Sequence, residues 1–304
     1  MSSTTLTTHA TDINWPVVFL LSMAAAIGGF LFGFDSGVIN GTAEGLKQTF
    51  GSSDWIVGFN VASMLLGCAL GAAMAGRVSD IFGRKPVQLV AALMFVISAW
   101  GSGIAQVAVE FVSYRAIGGI AVGAASVIAP AYISEIAPAK YRGALMSLQQ
   151  VAIILGLFFA FLSNYWIAQV AGSSTQELWL GVAAWRWMFW IEMIPAMLYF
   201  IAVLFVPESP YYLAKTGQNR KALRNVAAVY RVSYASQFKA IKRSMNQDFD
   251  SSWQALFVAG RKTFKPLVWA GIGLAAFQQL VGINVIFYYG AVMWEAAGFT
   301  EADA

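Results

Sequence analysis

The chain has 304 residues, 59% of them hydrophobic and 11% charged, with a mean hydropathy of +0.64; an ordinary soluble protein has about 25% charged residues. This excludes a soluble enzyme and predicts an all-α membrane protein. The net charge of +4 sits in short segments between apolar runs, where it reports topology; no nucleic-acid partner is expected. Cys68 is the only cysteine and His9, in a polar leader, the only histidine, so neither an internal disulfide nor a metal cluster is expected, and no cofactor.

Residues 1–14 read as a cytoplasmic leader without Lys or Arg. The apolar run behind it is too long for a signal-peptide core, so cleavage is not expected. Apolar segments near 15–39, 55–75, 86–106, 111–134, 144–168, 185–206 and 267–293 predict seven spans, since a bilayer needs about 20 residues. With the N-terminus inside, Arg77, Arg84, Lys85, Lys140, Arg142 and the cations from Lys215 to Lys265 are cytoplasmic and only Lys47 is outside, as expected for a multi-pass protein of the cell's inner (plasma) membrane. The expected organisation is a six-helix bundle over 15–206, a cytoplasmic helical linker over 207–266, and one further span within 267–304. In the linker, Lys221–Val232 and Gln237–Met245 mix basic and apolar residues at helical spacing and predict short surface helices under the membrane. Attraction to acidic lipid and a part in gating are both open to them. Glu135 and Pro138 after the fourth span, and Glu208 and Pro210 after the sixth, hint at duplicated three-span units.

The first span carries one acid, Asp35. An intramembrane charge costs roughly 2.5–3.5 kcal/mol on insertion scales, which makes such a residue a functional candidate that needs a partner. Gly29, Gly33, Gly37 and Gly41 recur every fourth residue and line one side of the helix, where a neighbour can approach closely. Asp35 lies about 200° from Gly33 and Gly37, on a face shared with Phe32 and Ile39. At 1.5 Å per residue, Asp35 and Arg115 lie about 6 Å and Glu192 about 10 Å below the outer edges of their spans. Three ionisable groups at similar depth predict an Asp35–Arg115 pair with Glu192 nearby and coupled titrations. The plainer alternatives are an arginine snorkelling to the interface and a glutamate capping a helix end.

Three motifs stand at the expected cytoplasmic ends. Gly76-Arg-Val-Ser-Asp-Ile-Phe-Gly-Arg-Lys-Pro86 holds Gly76, Arg77, Asp80, Gly83 and Arg84. Glu135-Ile-Ala-Pro-Ala-Lys-Tyr-Arg142-Gly143 and Pro207-Glu-Ser-Pro-Tyr-Tyr-Leu213 hold Glu135, Arg142 and Glu208. In their order, and with Tyr114-Arg-Ala-Ile-Gly-Gly119, Trp185-Arg-Trp-Met-Phe189 and Gln278-Gln-Leu-Val-Gly-Ile-Asn-Val-Ile-Phe-Tyr-Tyr289, the chain resembles the sugar porter family of the major facilitator superfamily, especially its bacterial proton-coupled xylose-type and hexose-type members. The resemblance runs from Gly29 to Tyr289. It implies a twelve-span fold of two six-span bundles joined by a cytoplasmic helical domain, with sugar bound midway, of which this chain holds the first bundle, the linker and the first helix of the second.

The seventh span is polar for a simple anchor, with Gln278, Gln279 and Asn284 beside Tyr288 and Tyr289. Amides offer a donor and an acceptor to adjacent hydroxyls, and aromatic faces suit the C–H side of a sugar ring; amides bonding helix to helix are the plainer alternative. On a straight helix Gln279 and Asn284 diverge by about 140°, so either the binding face is wide or the helix opens near Gly282. The resemblance adds Gln150 and Phe32 as sugar contacts. Two positions depart from it: Leu157 stands where xylose-type members carry a second glutamine, and Tyr211 where the family's Pro-Glu-Ser-Pro motif continues with arginine. Asp35 resembles the symporters, because facilitators have a neutral residue there. The expected activity is monosaccharide import coupled to protons by alternating access. Asp35, Arg115 and Glu192 would handle the proton, and Asp80, Arg84, Glu135, Arg142 and Glu208 an inner gate. An uncoupled uniporter and a non-transporting sugar sensor are the rivals, and an enzyme is the least expected.

Overall fold

Residues 12–51, 54–246, 257, 263–282, 290, 293–294 and 297–298 are described by the computed structural model. Five long helices come first: α1 (Trp15–Phe50), α2 (Asp54–Phe82), α3 (Arg84–Ile104), α4 (Ala108–Ile136) and α5 (Arg142–Ala171). A sixth apolar span, Ala184–Phe205, is divided into α6 (Ala184–Ile191) and α7 (Met193–Phe205). Among the described residues, six helical stretches are long and apolar enough to cross a membrane, at the six places the hydropathy pattern marks.

The division of the sixth span has a local cause. Pro195 has no N–H to give to the Ile191 carbonyl, so the ladder loosens one turn before it. Glu192 N–H instead reaches back to Phe189 O at 3.1 Å, and Ala196 N–H resumes α-helical bonding to Glu192 O at 3.1 Å. Glu192 thus occupies the joint between two helices.

In place of an end near residue 39, α1 continues about four turns past Asp35. Gly37 and Gly41 do not end it because their missing side chains are what let α5 pack there, and Val38, Ile39 and Leu46 keep its inner face buried. Gly51 closes it in the left-handed region, at φ 57°. Asp35 is therefore deeper in its helix than the expected 6 Å from an end.

Packing follows the glycines. A Cβ on Gly33 would stand 1.9 Å from Ile153 O, and one on Gly156 of α5 would stand 2.0 Å from Phe30 O. The same reciprocal arrangement joins α4 to α2: Gly119 would meet Met64 O at 2.0 Å and Gly67 would meet Ala116 O at 2.3 Å. Exchanging helix 1 with 4 and helix 2 with 5 turns one crossing into the other, as a duplicated three-helix unit requires. At the end of the bundle remote from Arg84, Trp185, Phe111 and Phe189 pack edge to face and are fully buried.

Between α5 and α6 lies a hairpin absent from the sequence-based expectation, β1 (Glu177–Trp179) and β2 (Val182–Ala183). Leu180 at φ 58° and Gly181 at φ 68° form its turn, both central residues having the positive φ of a tight hairpin turn.

The segment after α7 folds as three short helices: α8 (Pro210–Lys215), α9 (Asn219–Val229) and α10 (Tyr234–Asn246). They are anchored to the start of α1. Asn14 N–H donates to Val229 O at 2.8 Å and Arg231 N–H to Asp12 O at 2.8 Å. The Asp12 carboxylate accepts the N–H groups of Val232 and Ser233 at 2.6 and 3.0 Å, together with the Ser233 hydroxyl. Burial alone would raise the Asp12 carboxyl, but the hydrogen bonds from Ser233 and Val232 outweigh it and hold it below the usual carboxylate range. The last described helix, α11 (Pro266–Leu280), is apolar and 15 residues long, with no buried residue.

Two outcomes test this packing. Gly33→Leu, forced into the Ile153 carbonyl, costs about 1–3 kcal/mol or prevents folding, whereas Gly76→Ala, with nothing within 4 Å, leaves the midpoint of thermal unfolding unchanged or slightly higher. Asp12→Ala speeds amide exchange at Val232 and Ser233 roughly tenfold, by loss of charge-assisted bonds. Because the folded Asp12 value is depressed, its stabilisation is fully present above an unfolded value of about 4 and fades as pH falls through the lower folded one.

Candidate functional site

Asp35 of α1, Arg115 of α4 and Glu192 at the α6–α7 joint are each 2% exposed or less, and the bundle brings them together. Arg115 Nη1 donates to Asp35 Oδ1 in a fully buried ion pair. Glu192 lies close enough to feel the charges of both. The remaining surroundings of the guanidinium are soft: Nη2 donates to Met64 Sδ at 3.1 Å, and the Phe189 ring lies 5.6 Å from Cζ. Asp35 Oδ2 and Arg115 Nε have no hydrogen-bond partner among the described residues. Arg115 does not snorkel and Glu192 does not cap an exposed helix end. Met64 and Phe189 could not have been found from sequence, because nothing distinguishes them from the apolar residues of their spans.

The opposite end of the bundle holds a second charged group. Arg84 donates to Asp80 Oδ1 at 2.8 Å, to Ser79 O at 2.7 Å and to Glu135 Oε1 at 3.0 Å. Glu208 meets main-chain N–H groups. Its carboxylate caps α3 by accepting the N–H groups of Arg84 at 2.9 Å and Lys85 at 3.2 Å, where the helix dipole favours an anion. Gly83 makes this possible: its φ of 100° and missing Cβ leave the space into which Glu208 Oε2 reaches, 2.2 Å from where that Cβ would stand. Gly76, Arg77 and Arg142 are exposed and stand outside this network.

The expected sugar contacts are partly in view. Phe32 is half-buried, and Gln150 is exposed on α5, while its neighbour Gln149 turns inward against Gly29 of α1. Leu157 packs on α1, its Cδ1 3.2 Å from where a Gly37 Cβ would be. Gln278 and Gln279 lie on the exposed surface of the last turn of α11. The helix ends at Leu280, and Gly282 has φ 77°. Asn284 and Tyr288 lie outside the described residues.

A family profile described as Sugar (and other) transporter matches residues 21–303. The chain belongs to this family, the sugar porters of the major facilitator superfamily. It is 48% identical over 289 residues to the "Glucose transport protein" of Synechocystis sp., covering 95% of this chain and 62% of that protein. With the "D-xylose-proton symporter" of Escherichia coli it shares 36% identity over 322 residues, with the same coverage. The solved structure of the proton:xylose symporter XylE bound to 6-bromo-6-deoxy-D-glucose superposes with a TM-score of 0.83 at 35% identity, over 94% of this chain and 64% of that one. The chain spans about three fifths of the length of these relatives. It is a multi-pass membrane protein, and the six spans among its described residues form the N-terminal six-helix bundle of the superfamily.

The burial of the pair sets an asymmetric mutational cost. Arg115→Leu, which strands a carboxylate, lowers stability by about 3–5 kcal/mol; adding Asp35→Leu recovers most of the loss. Thermal unfolding of the two variants in detergent reads the difference.

Proposed function

We propose that this chain is part of a secondary active transporter that imports a monosaccharide, a pentose or a hexose, together with a proton by alternating access. The observation that carries the proposal is the fully buried Asp35–Arg115 ion pair with Glu192 beside it. A buried pair is weak evidence for stability, since desolvation offsets much of its attraction, but it is well suited to a switch. When Asp35 takes a proton from outside, its pairing with Arg115 weakens, and Glu192 beside them tunes the pair. A proton drives a conformational cycle only if the two end states bind it with different affinity, and unequal pairing of Asp35 supplies that difference.

The sugar would be held by Gln150, Gln278, Gln279 and Asn284, with Phe32 and Tyr288 against its apolar face. Asp80, Arg84 and Glu135 would form the core of the inner gate, Glu208 would hold the start of α3, and Gly76, Arg77, Gly83 and Arg142 would complete that surface. The positive-inside distribution supports an N-terminus in the cytoplasm and residence in the inner (plasma) membrane. On this reading 15–206 is one bundle, 207–266 a cytoplasmic linker, and 267–304 the start of a second bundle. Relatives named as proton symporters for xylose and arabinose support coupling. Leu157 favours the hexose alternative, because an apolar residue there resembles glucose carriers. An uncoupled uniporter is the second reading, motivated by the same residue.

Asp35→Asn abolishes accumulation against a gradient and leaves sugar exchange within a fewfold of the parent, measured with radiolabelled sugar in cells. Adding the transported sugar to de-energised cells alkalinises the medium transiently; sugar entry without alkalinisation establishes the uniporter.

A further inference from the structure

The α1–α5 seam is closest where backbone meets backbone. Gly29, Gly33 and Gly37 bring the α1 main chain against α5, with Gly33 so close that a Cβ would stand 1.9 Å from Ile153 O. Such a contact is tight, but the glycine itself offers no side chain there to oppose rotation of α1 about its axis or sliding along it. Slipping by one residue turns a side chain through about 100°. That would carry the Asp35 carboxylate away from Arg115.

A polar side chain crosses the seam just beyond this level. Asn164 of α5 donates from Nδ2 to Gly37 O at 3.1 Å and to Val38 O at 3.2 Å. Those carbonyls follow Asp35 by two and three residues, and Gly37 lies about 200° around the helix from it. Asn164 is 6% exposed, and its Oδ1 has no partner among the described residues. Burying a half-satisfied amide costs stability that a leucine of similar volume would not, so packing does not account for it. Gly41 makes the space it needs, since a Cβ there would stand 2.7 Å from Asn164 Nδ2.

We propose that Asn164 is a positioning residue for the buried ion pair: by gripping the Gly37 and Val38 carbonyls from behind, it sets the rotation and register of α1 at which Asp35 meets Arg115. Its consequence for transport rests on the reading of Asp35 as the proton-accepting group; the positioning itself does not.

The test uses the full natural chain with Asn164→Leu, which keeps the volume and removes the donor, and Asn164→Gln, which keeps a donor on a longer arm. In thermal unfolding of the purified protein, the effect of Asn164→Leu shrinks by at least half in an Asp35→Asn background, because the pair it served is already gone. Equal effects in both backgrounds overturn the proposal and leave Asn164 as a plain helix pin. In proteoliposomes, Asn164→Leu moves the pH midpoint of sugar-driven proton uptake by at least half a unit, about a threefold change in proton affinity, with the sugar KM within twofold; Asn164→Gln recovers part of the shift. An unmoved midpoint overturns the consequence for transport, while the unfolding cycle decides the positioning. If the parent protein shows no sugar-driven proton uptake, the transport reading fails, and the unfolding cycle still decides the role of Asn164. Should Asn164→Leu not fold, Asn164→Ser and Asn164→Gln carry the same cycle.

Discussion

A carboxylate and a guanidinium held out of water in the middle of a helix bundle set the terms for the rest of this structure. Each ion would cost several kcal/mol to bury alone, so the two helices that carry them must meet at one height and one rotation. The bundle meets that demand with backbone. Glycine lets α1 lie on α5 and α2 lie on α4 closely enough that carbonyl oxygens occupy the space of absent side chains. The third ionisable group arrives by another route: Pro195 opens the sixth span at the residue before Met193, and Glu192 stands at that opening.

The two reciprocal glycine crossings give the six-helix bundle an internal symmetry, and the ion pair lies across it, with Asp35 contributed by the first three-helix unit and Arg115 by the second. A shift of one unit against the other is felt first at such a contact. The far end of the bundle is built from a different kind of interaction. Arg84 gathers Asp80 and Glu135, Glu208 caps α3 through main-chain N–H groups, and the Tyr212 hydroxyl donates to Ile81 O at 2.8 Å. Together with the strap from Asp12 and Asn14 to the loop between α9 and α10, these bonds attach the three short helices to both α1 and α3. The segment that carries α8 and α9 is thus hydrogen-bonded to the bundle at several points.

Much of this was written in the order of residues. Hydropathy marked the six long spans, the fourfold glycine repeat marked the α5-facing side of α1, and one acid in an apolar run marked Asp35, because each signal is local: a span needs about 20 apolar residues, a close crossing needs small residues one turn apart, and a buried charge is conspicuous by type. Estimated depth even placed Arg115 and Glu192 beside Asp35, although α1 runs much further than its apolar run implies. The Glu208 motif was also visible, but not its use, since whether a carboxylate meets a guanidinium or a helix N-terminus depends on how Gly83 turns.

What the amino-acid order determined by itself was therefore the class, the spans, the family and the identity of the charged residues. Only the tertiary structure decided which groups touch. It chose Gln149 over Gln150 for the α1 interface, placed Met64 and Phe189 around Arg115, and laid Asn164 behind Asp35. Those choices lie beyond sequence because they depend on the relative rotation of helices far apart in the chain, and a rotation of 100°, one residue's worth, exchanges a buried neighbour for an exposed one.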